Sequence, residues 1–170
     1  MPSEMLEKFS KHGDFERRKA IAQNPNAPAE LLTQLAYSQE YEIRKAVAQN
    51  PNTPAELLTK LADDLRSDVC KAVAENLNTP AEALERIYCY RFSSYEPIRT
   101  ALAGNPQSPV KILRSFMDSC TGYTVAENKS LPLDDLRKLA KERDYDLCWK
   151  VLLNPSISIE ILEDLSNNRY

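Results

Sequence analysis

The sequence predicts an all-α protein: a right-handed α-solenoid of about six 26-residue helix–turn–helix repeats, without β-sheet. Three observations lead to this fold class. Residues 18–36 and 44–62 are nearly identical, asparagines recur at a regular spacing, and only three glycines accompany eleven prolines. Hairpin-rich β folds and phosphate-binding loops usually need more glycine. Repeats of roughly 20–50 residues are typical of solenoids, because each unit buries its apolar side only against its neighbours.

One asparagine marks each repeat, and the spacings between successive markers are 26, 26, 29, 23 and 26 residues. The longer and the shorter spacing indicate an insertion before the fourth marker and a deletion after it. These asparagines either line a ligand-facing edge or end the first helix of each unit and bond neighbouring backbone, and we favour the structural interpretation. The markers are Asn24, Asn50, Asn76, Asn105, Asn128 and Asn154.

Each repeat is expected to contain two helices. In the second repeat the first helix is expected over 43–49, and at about two turns it is short enough for 3₁₀ geometry. The second begins with Thr53–Glu56, which has the pattern of a capping box with Pro54 at the first helical position. Its apolar stripe is Leu57, Leu58, Leu61 and Ala62. Equivalent stripes recur in the other repeats, the last with Ile161, Leu162 and Leu165.

The repeats are predicted to form a single domain over residues 1–170. Residues 1–10 match the second half of a unit and are interpreted as an N-terminal cap. The predicted repeats are 14–37, 41–63, 67–90, 95–118, 119–141 and 145–168.

The composition excludes several classes of protein. A net charge of −3 and a pI near 5.3 argue against nucleic-acid binding through bulk charge. No apolar run is long enough to span a membrane, and the N-terminus lacks the apolar core of a signal peptide, so a cytoplasmic location is expected. Four widely spaced cysteines and a lone histidine, His12, give neither a metal site nor a catalytic triad. We therefore expect no metal, no cofactor and no enzymatic activity.

The segment 43–58 reads IRKAVAQNPNTPAELL and resembles the leucine-rich repeat variant family, whose pattern is V-R-x-A-V-A-x-N-P-x-T-P-x-x-L-L. The resemblance implies alternating α- and 3₁₀-helices in a right-handed superhelix, and it implies a scaffold for interactions, with no reaction. One member of that family carries an iron–sulfur cluster on a separate cysteine-rich segment. The present sequence shows no such segment, so no cluster is expected.

A column of basic residues in the first helices is a candidate phosphate-binding site. Stacking would bring these residues into one stripe that could hold nucleic acid or an acidic partner. An acid precedes most of them by three residues, as in Glu42–Lys45, so intrahelical ion pairs facing solvent are the favoured alternative. The column comprises Arg18, Lys19, Arg44, Lys45, Lys71 and Arg99.

Aromatic residues give a second candidate surface. The stretch 88–95 holds the insertion and contains Tyr90, Arg91, Phe92 and Tyr95, residue types that are enriched at interfaces. These side chains either bind a partner or fill the seam that the insertion opens. Trp149 stands where the first three repeats have lysine, and Tyr123 and Tyr145 also replace standard residues. Packing within a less regular repeat is the favoured alternative there.

The sequence therefore predicts a non-catalytic scaffold that binds a protein partner through one face of the superhelix and the aromatic insertion. The alternative is a nucleic-acid-binding repeat protein that uses the basic column. The partner itself is not identified by the sequence, and no membrane association is expected.

Overall fold

The structure, a computed structural model, describes residues 14–89, 94–142 and 144–167, without the side chain of Asn167. The predicted cap and His12 lie outside these residues. The described part contains twelve α-helices and no strand, in agreement with the predicted α-solenoid. The first helices are α-helical throughout the described part, so the expected 3₁₀ geometry is not found there.

First and second helices alternate along the chain. The first helices are α1 (Phe15–Gln23), α3 (Tyr41–Gln49), α5 (Ser67–Glu75), α7 (Glu96–Gly104), α9 (Gly122–Glu127) and α11 (Tyr145–Leu152). The second helices are α2 (Ala29–Leu35), α4 (Ala55–Leu61), α6 (Ala81–Cys89), α8 (Val110–Phe116), α10 (Leu133–Ala140) and α12 (Ile159–Asn167). None of the helices in the described ranges is long and apolar enough to cross a bilayer.

The chain divides into two compact units, residues 1–93 and 94–170, which we call the N-terminal and C-terminal units. In the N-terminal unit α1, α3 and α5 pack side by side in sequence order, and α4 packs against α6. In the C-terminal unit α7, α9 and α11 do the same, and α10 packs against α12. Stacking in sequence order within each unit is the arrangement that the repeat pattern predicts.

The cores consist of the predicted apolar stripes. In the second repeat Ile43, Val47, Leu57 and Leu58 are buried, and all their counterparts in later repeats except Leu162 are buried as well. The prediction was wrong for Leu162, which is 41% exposed. Leu162 lies on α12, and no later helix of the described chain covers it.

The marker asparagines join successive repeats. The Asn50 side-chain amide donates to the backbone oxygens of Ala22 (2.7 Å) and Asn24 (2.8 Å), and its Oδ1 accepts from the Asn52 amide (2.9 Å). Asn76, Asn128 and Asn154 make the equivalent bonds. Buried amides in this arrangement satisfy carbonyls at the ends of first helices. The structural interpretation of the asparagines is therefore correct for these four, although the described markers have no positive φ.

The predicted capping box is wrong. Pro54 is the last residue before α4, and no side chain caps the helix. Thr53 is buried and its hydroxyl donates instead to the backbone oxygen of Val47, at 2.5 Å. That oxygen also accepts from the Asn50 amide at 3.0 Å, and Thr79 makes the equivalent bond to Val73 in the third repeat. The threonine hydroxyl thus adds a second donor at the end of each of these first helices.

Candidate interaction surface

The arginine of the basic column is a structural clamp in the second repeat. Arg44 Nε and Nη2 donate to the two carboxylate oxygens of Asp64 at 2.6 and 3.0 Å, and Nη1 donates to the backbone oxygens of Ser38 (2.8 Å) and Gln39 (2.9 Å). The hydrogen bond to Asp64 raises the pKa of Arg44. Since this guanidinium ties two successive interhelix turns together, little of it is left for a phosphate.

The neighbouring cations are also paired. Arg18 binds Glu40 at 2.9 Å, Lys45 lies 3.9 Å from Asp68, and Lys71 binds Glu75. Lys19 lies over the Phe15 ring, 5.5 Å from its centroid. The partners of the two lysines differ from the predicted ones. Lys45 reaches Asp68 of the next repeat, which stacking brings close, and Lys71 reaches Glu75 one turn later in its own helix.

Arg99, in the C-terminal unit, packs its guanidinium over the Phe116 ring, 4.9 Å from the centroid. Its Nε is buried and has no hydrogen-bond partner among the described residues. This arrangement is a cation–π contact that fixes the arginine against α8. The six predicted phosphate-binding residues are thus divided between ion pairs and ring contacts.

An exposed apolar ridge runs along α11 and ends at Leu153, the residue that follows this helix. Tyr145, Trp149 and Leu153 follow one another at four-residue intervals and are 68%, 54% and 54% exposed. Residues four apart share one face of a helix, so the three side chains form a single stripe. We call these three residues the α11 ridge. In α5 the corresponding positions are occupied by Ser67, Lys71 and Glu75.

The aromatic insertion is described only in part. Tyr90, Arg91 and Phe92 lie outside the described residues. Tyr88 is half-buried at the end of α6, and Tyr95 is exposed immediately before α7. Of the five predicted partner-binding residues, Tyr95 and Trp149 are thus placed at the surface.

A cavity of about 230 Å³ opens beside the start of α9 and was not predicted. Gly122 and Tyr123 line one side, and Glu142, Asp144 and Leu147 line the other. The Tyr123 hydroxyl donates to Asp144 Oδ2 at 2.7 Å, which raises the pKa of Tyr123 and lowers that of Asp144. Asp144 also accepts from the Leu147 amide at 3.0 Å. The sequence signal for this cavity is Gly122 itself, which stands six residues before its marker asparagine, at the position that Arg44 occupies in the second repeat.

The described residues contain no group of three histidine, cysteine or acidic side chains that could hold a metal ion. Cys70 and Cys148 are buried at the positions equivalent to Arg44, and burial raises the pKa of Cys70 to about 12. A thiol with such a pKa is protonated at neutral pH and is a poor nucleophile.

Comparison with known proteins agrees with this architecture. Residues 16–75 match the family described as the Leucine Rich Repeat Variant domain. A solved structure entitled "A leucine-rich repeat variant with a novel repetitive protein structural motif" superposes with a TM-score of 0.59 at 22% identity, over 98% of this chain and 71% of that chain. No curated protein sequence matches the chain. The family match thus covers the first repeats, and the structural likeness extends the same helical-repeat fold over nearly the whole chain.

Proposed function

We propose that this scaffold-type repeat protein is a non-catalytic interaction module that binds a protein partner through the α11 ridge and the 88–95 insertion. The observation that carries the proposal is the exposure of Tyr145, Trp149 and Leu153 on one side of one helix. Tryptophan and tyrosine dominate the binding energy of many protein interfaces, and contiguous exposed apolar surface often marks an interaction site. The rigid stacking of α9 and α11 would present this ridge without an ordering cost.

The nucleic-acid alternative has less support from the geometry. Arg18, Arg44 and Lys45 lie close to carboxylates, so the stripe is largely neutralised. A phosphate backbone attracts a protein through unpaired cations and the counterions that they displace. Binding to duplex DNA or RNA that weakens steeply with salt, and falls in Lys45→Ala and Arg99→Ala, would favour the alternative.

Affinity capture from native lysate tests the proposal. Trp149→Lys restores the residue type of the first three repeats, and combined with Tyr145→Ser it removes most of the apolar stripe. We expect this variant to capture at least roughly tenfold less of the partner than the wild type, because a buried aromatic anchor contributes about 2 kcal/mol or more to binding. Lys71→Ala, at the position equivalent to Trp149, is the matched control and should capture as the wild type does.

The insertion is tested separately by replacing residues 88–95 with a turn of standard length. Loss of the same partner in this variant and in the α11 variant would place both segments at one interface. A partner set that is unchanged in both variants would overturn the proposal.

A further inference from the structure

The sixth residue before each marker asparagine occupies one structural position, which we call the clamp position. In the second repeat it is Arg44, whose guanidinium lies between the turn that contains Ser38 and the turn that contains Asp64. In the fifth repeat it is Gly122. The remaining clamp residues are Arg18, Cys70, Arg99 and Cys148.

By the register of the marker asparagines, the cavity beside Gly122 corresponds to the space that the Arg44 side chain occupies in the second repeat. Ser38 and Asp64 each follow a marker asparagine by fourteen residues, and the residues at that position around the fifth repeat are Ser119 and Glu142. Both of these residues line the cavity. The fifth repeat therefore keeps the two turns and the acid that hold a guanidinium but has no arginine at its own clamp position.

The chain cannot fill this space from residue 122. A Cβ atom at Gly122 would lie 2.4 Å from the backbone oxygen of Met117, well inside van der Waals contact. The three-residue deletion in this repeat draws the start of α9 against the end of α8, and only glycine fits there. A side chain that occupies the cavity has to come from elsewhere.

The cavity has the charge of a cation site. Asp118, Glu142 and Asp144 line it, with Leu139 and Leu147 as apolar walls. Asp144 is engaged by Tyr123 and by the backbone of α11, whereas Asp118 and Glu142 are exposed to solvent and have no ion-pair partner among the described residues. The described acids form no group suited to a metal ion. At about 230 Å³ the cavity is smaller than a typical drug-sized pocket and suits one side chain.

We propose that the cavity beside Gly122 receives an arginine side chain of the protein partner, with Glu142 in the role that Asp64 plays for Arg44. The proposal rests on the proposed function, since it names the chemistry that the partner presents. Arginine is favoured over lysine because its planar fork can bind a carboxylate through two N–H groups and still reach turn carbonyls, as Arg44 does.

Titration of the ¹⁵N-labelled full chain with N-acetyl-arginine amide, followed by NMR, tests this directly. We expect shifts at Gly122, Tyr123, Glu142 and Asp144, with weaker binding of N-acetyl-lysine amide and none of N-acetyl-citrulline amide. Glu142→Gln should weaken the arginine probe about tenfold, because a charge-assisted bond of roughly 1.5–3 kcal/mol is lost. Glu163→Gln, an equal change of charge on α12 with the side chain at the surface, should have no effect.

Shifts that are absent in the wild type, or that are equal for the three probes, would overturn the proposal. Arg143 lies outside the described residues, so the titration is repeated with Arg143→Ala. Binding that is seen only in that variant would mean that the chain's own arginine fills the site, and it would also overturn the proposal.

The two proposals fail in different ways. Loss of partner capture in the α11 variant together with no response to the arginine probe would leave the interaction module and remove the arginine site. A specific response to the probe with unchanged capture in the α11 and 88–95 variants would leave the arginine site and overturn the proposed role of those two segments.

Discussion

The first helices of the two units share a backbone pattern but differ in what they display. On α3 and α5 the exposed side carries Lys45, Lys71 and Glu75. Lys45 pairs with Asp68, and Lys71 pairs with Glu75. On α11 the same positions carry Tyr145, Trp149 and Leu153. The buried faces hardly change between the units, since aliphatic residues fill both. In this protein the framework and the displayed surface are thus set by different positions of the same repeat.

The clamp position shows the same contrast inside the fold. Arg44 donates hydrogen bonds to Asp64 and to two turn carbonyls, and its side chain fills the space between adjacent turns. Gly122 leaves that space open and leaves Glu142 without an ion-pair partner among the described residues. One substitution combined with one deletion therefore converts a closed structural joint into an acidic cavity.

The largest effect is expected from the asparagines, and it should be the same in both units. Asn50→Ala and Asn154→Ala each remove two donated bonds and one accepted bond from a buried edge. Because buried carbonyls and an amide are left without partners, each variant should lose about 3 kcal/mol in the free energy of unfolding. Urea denaturation followed by circular dichroism measures the loss. A cost confined to one unit would show that the shared framework is less uniform than the contacts indicate.

The acid that faces the clamp position should contribute differently to stability in the two units. Asp64→Ala leaves Arg44, only 17% exposed at its side chain, without its carboxylate and should cost about 2 kcal/mol. Glu142→Ala removes an acid with no ion-pair partner in the described chain and should change stability by no more than about 0.5 kcal/mol. The same denaturation measurement applies to both variants. Equal costs would argue that Glu142 already holds a cation.

The two described glycines in the C-terminal unit provide a matched pair. Gly122→Ala places a Cβ against the Met117 oxygen and should destabilise by about 1–2 kcal/mol. Gly104→Ala, at the end of α7, meets only Thr124 Cγ2 at 3.6 Å, an ordinary contact. Alanine is the better helix former, so this variant should be neutral or slightly more stable. Thermal unfolding of both variants would show whether the deletion in the fifth repeat imposes glycine at residue 122.

The smallest effect concerns pH. Asp135 is buried, and desolvation of its carboxylate acts to raise its pKa. The hydrogen bonds from Arg114 (2.7 Å) and Lys138 (2.9 Å) outweigh this effect, so the pKa of Asp135 is lowered. A depressed folded-state pKa adds stability above the unfolded pKa of about 4, and this stability is lost as the pH falls through the folded value. Asp135→Asn should lose about 1 kcal/mol at neutral pH and show a flatter acid limb. The denaturation midpoints of the wild type and of Asp135→Asn, measured between about pH 2 and 7, test this prediction, since that range covers the titration of the carboxyl. An acid limb equal to that of the wild type would assign the acid sensitivity to other carboxylates.

The periodic part of the fold could be predicted from the sequence because apolar spacing and helix-ending residues act locally. Ile43, Val47, Leu57 and Leu58 are buried as their spacing predicts. Contacts between repeats were not predictable in the same way. Arg44 binds Asp64, which lies twenty residues later in the sequence, and the two side chains come into contact only because the turns stack. The Thr53 hydroxyl was predicted to cap α4, but it donates to a backbone oxygen at the end of α3, and Thr79 does the same at the end of α5.

The candidate surface was predicted in part for a similar reason. Trp149 and Tyr95 stood out as departures from the repeat and are exposed. The cavity beside Gly122 went unpredicted, because it depends on how closely the Met117 carbonyl approaches α9. A missing side chain in a column is visible in a sequence only after the structural role of that column is known.

The asparagine bonds also decide where this chain can change in length. Asn128 follows its predecessor by 23 residues and Asn154 by 26, yet each donates to the two equivalent carbonyls of its preceding repeat. The three missing residues are lost from the start of α9, which has 6 residues where α3 has 9. The asparagine bonds thus hold the end of each first helix in register, so that its start can be shortened, leaving a new hollow, while the stack is retained.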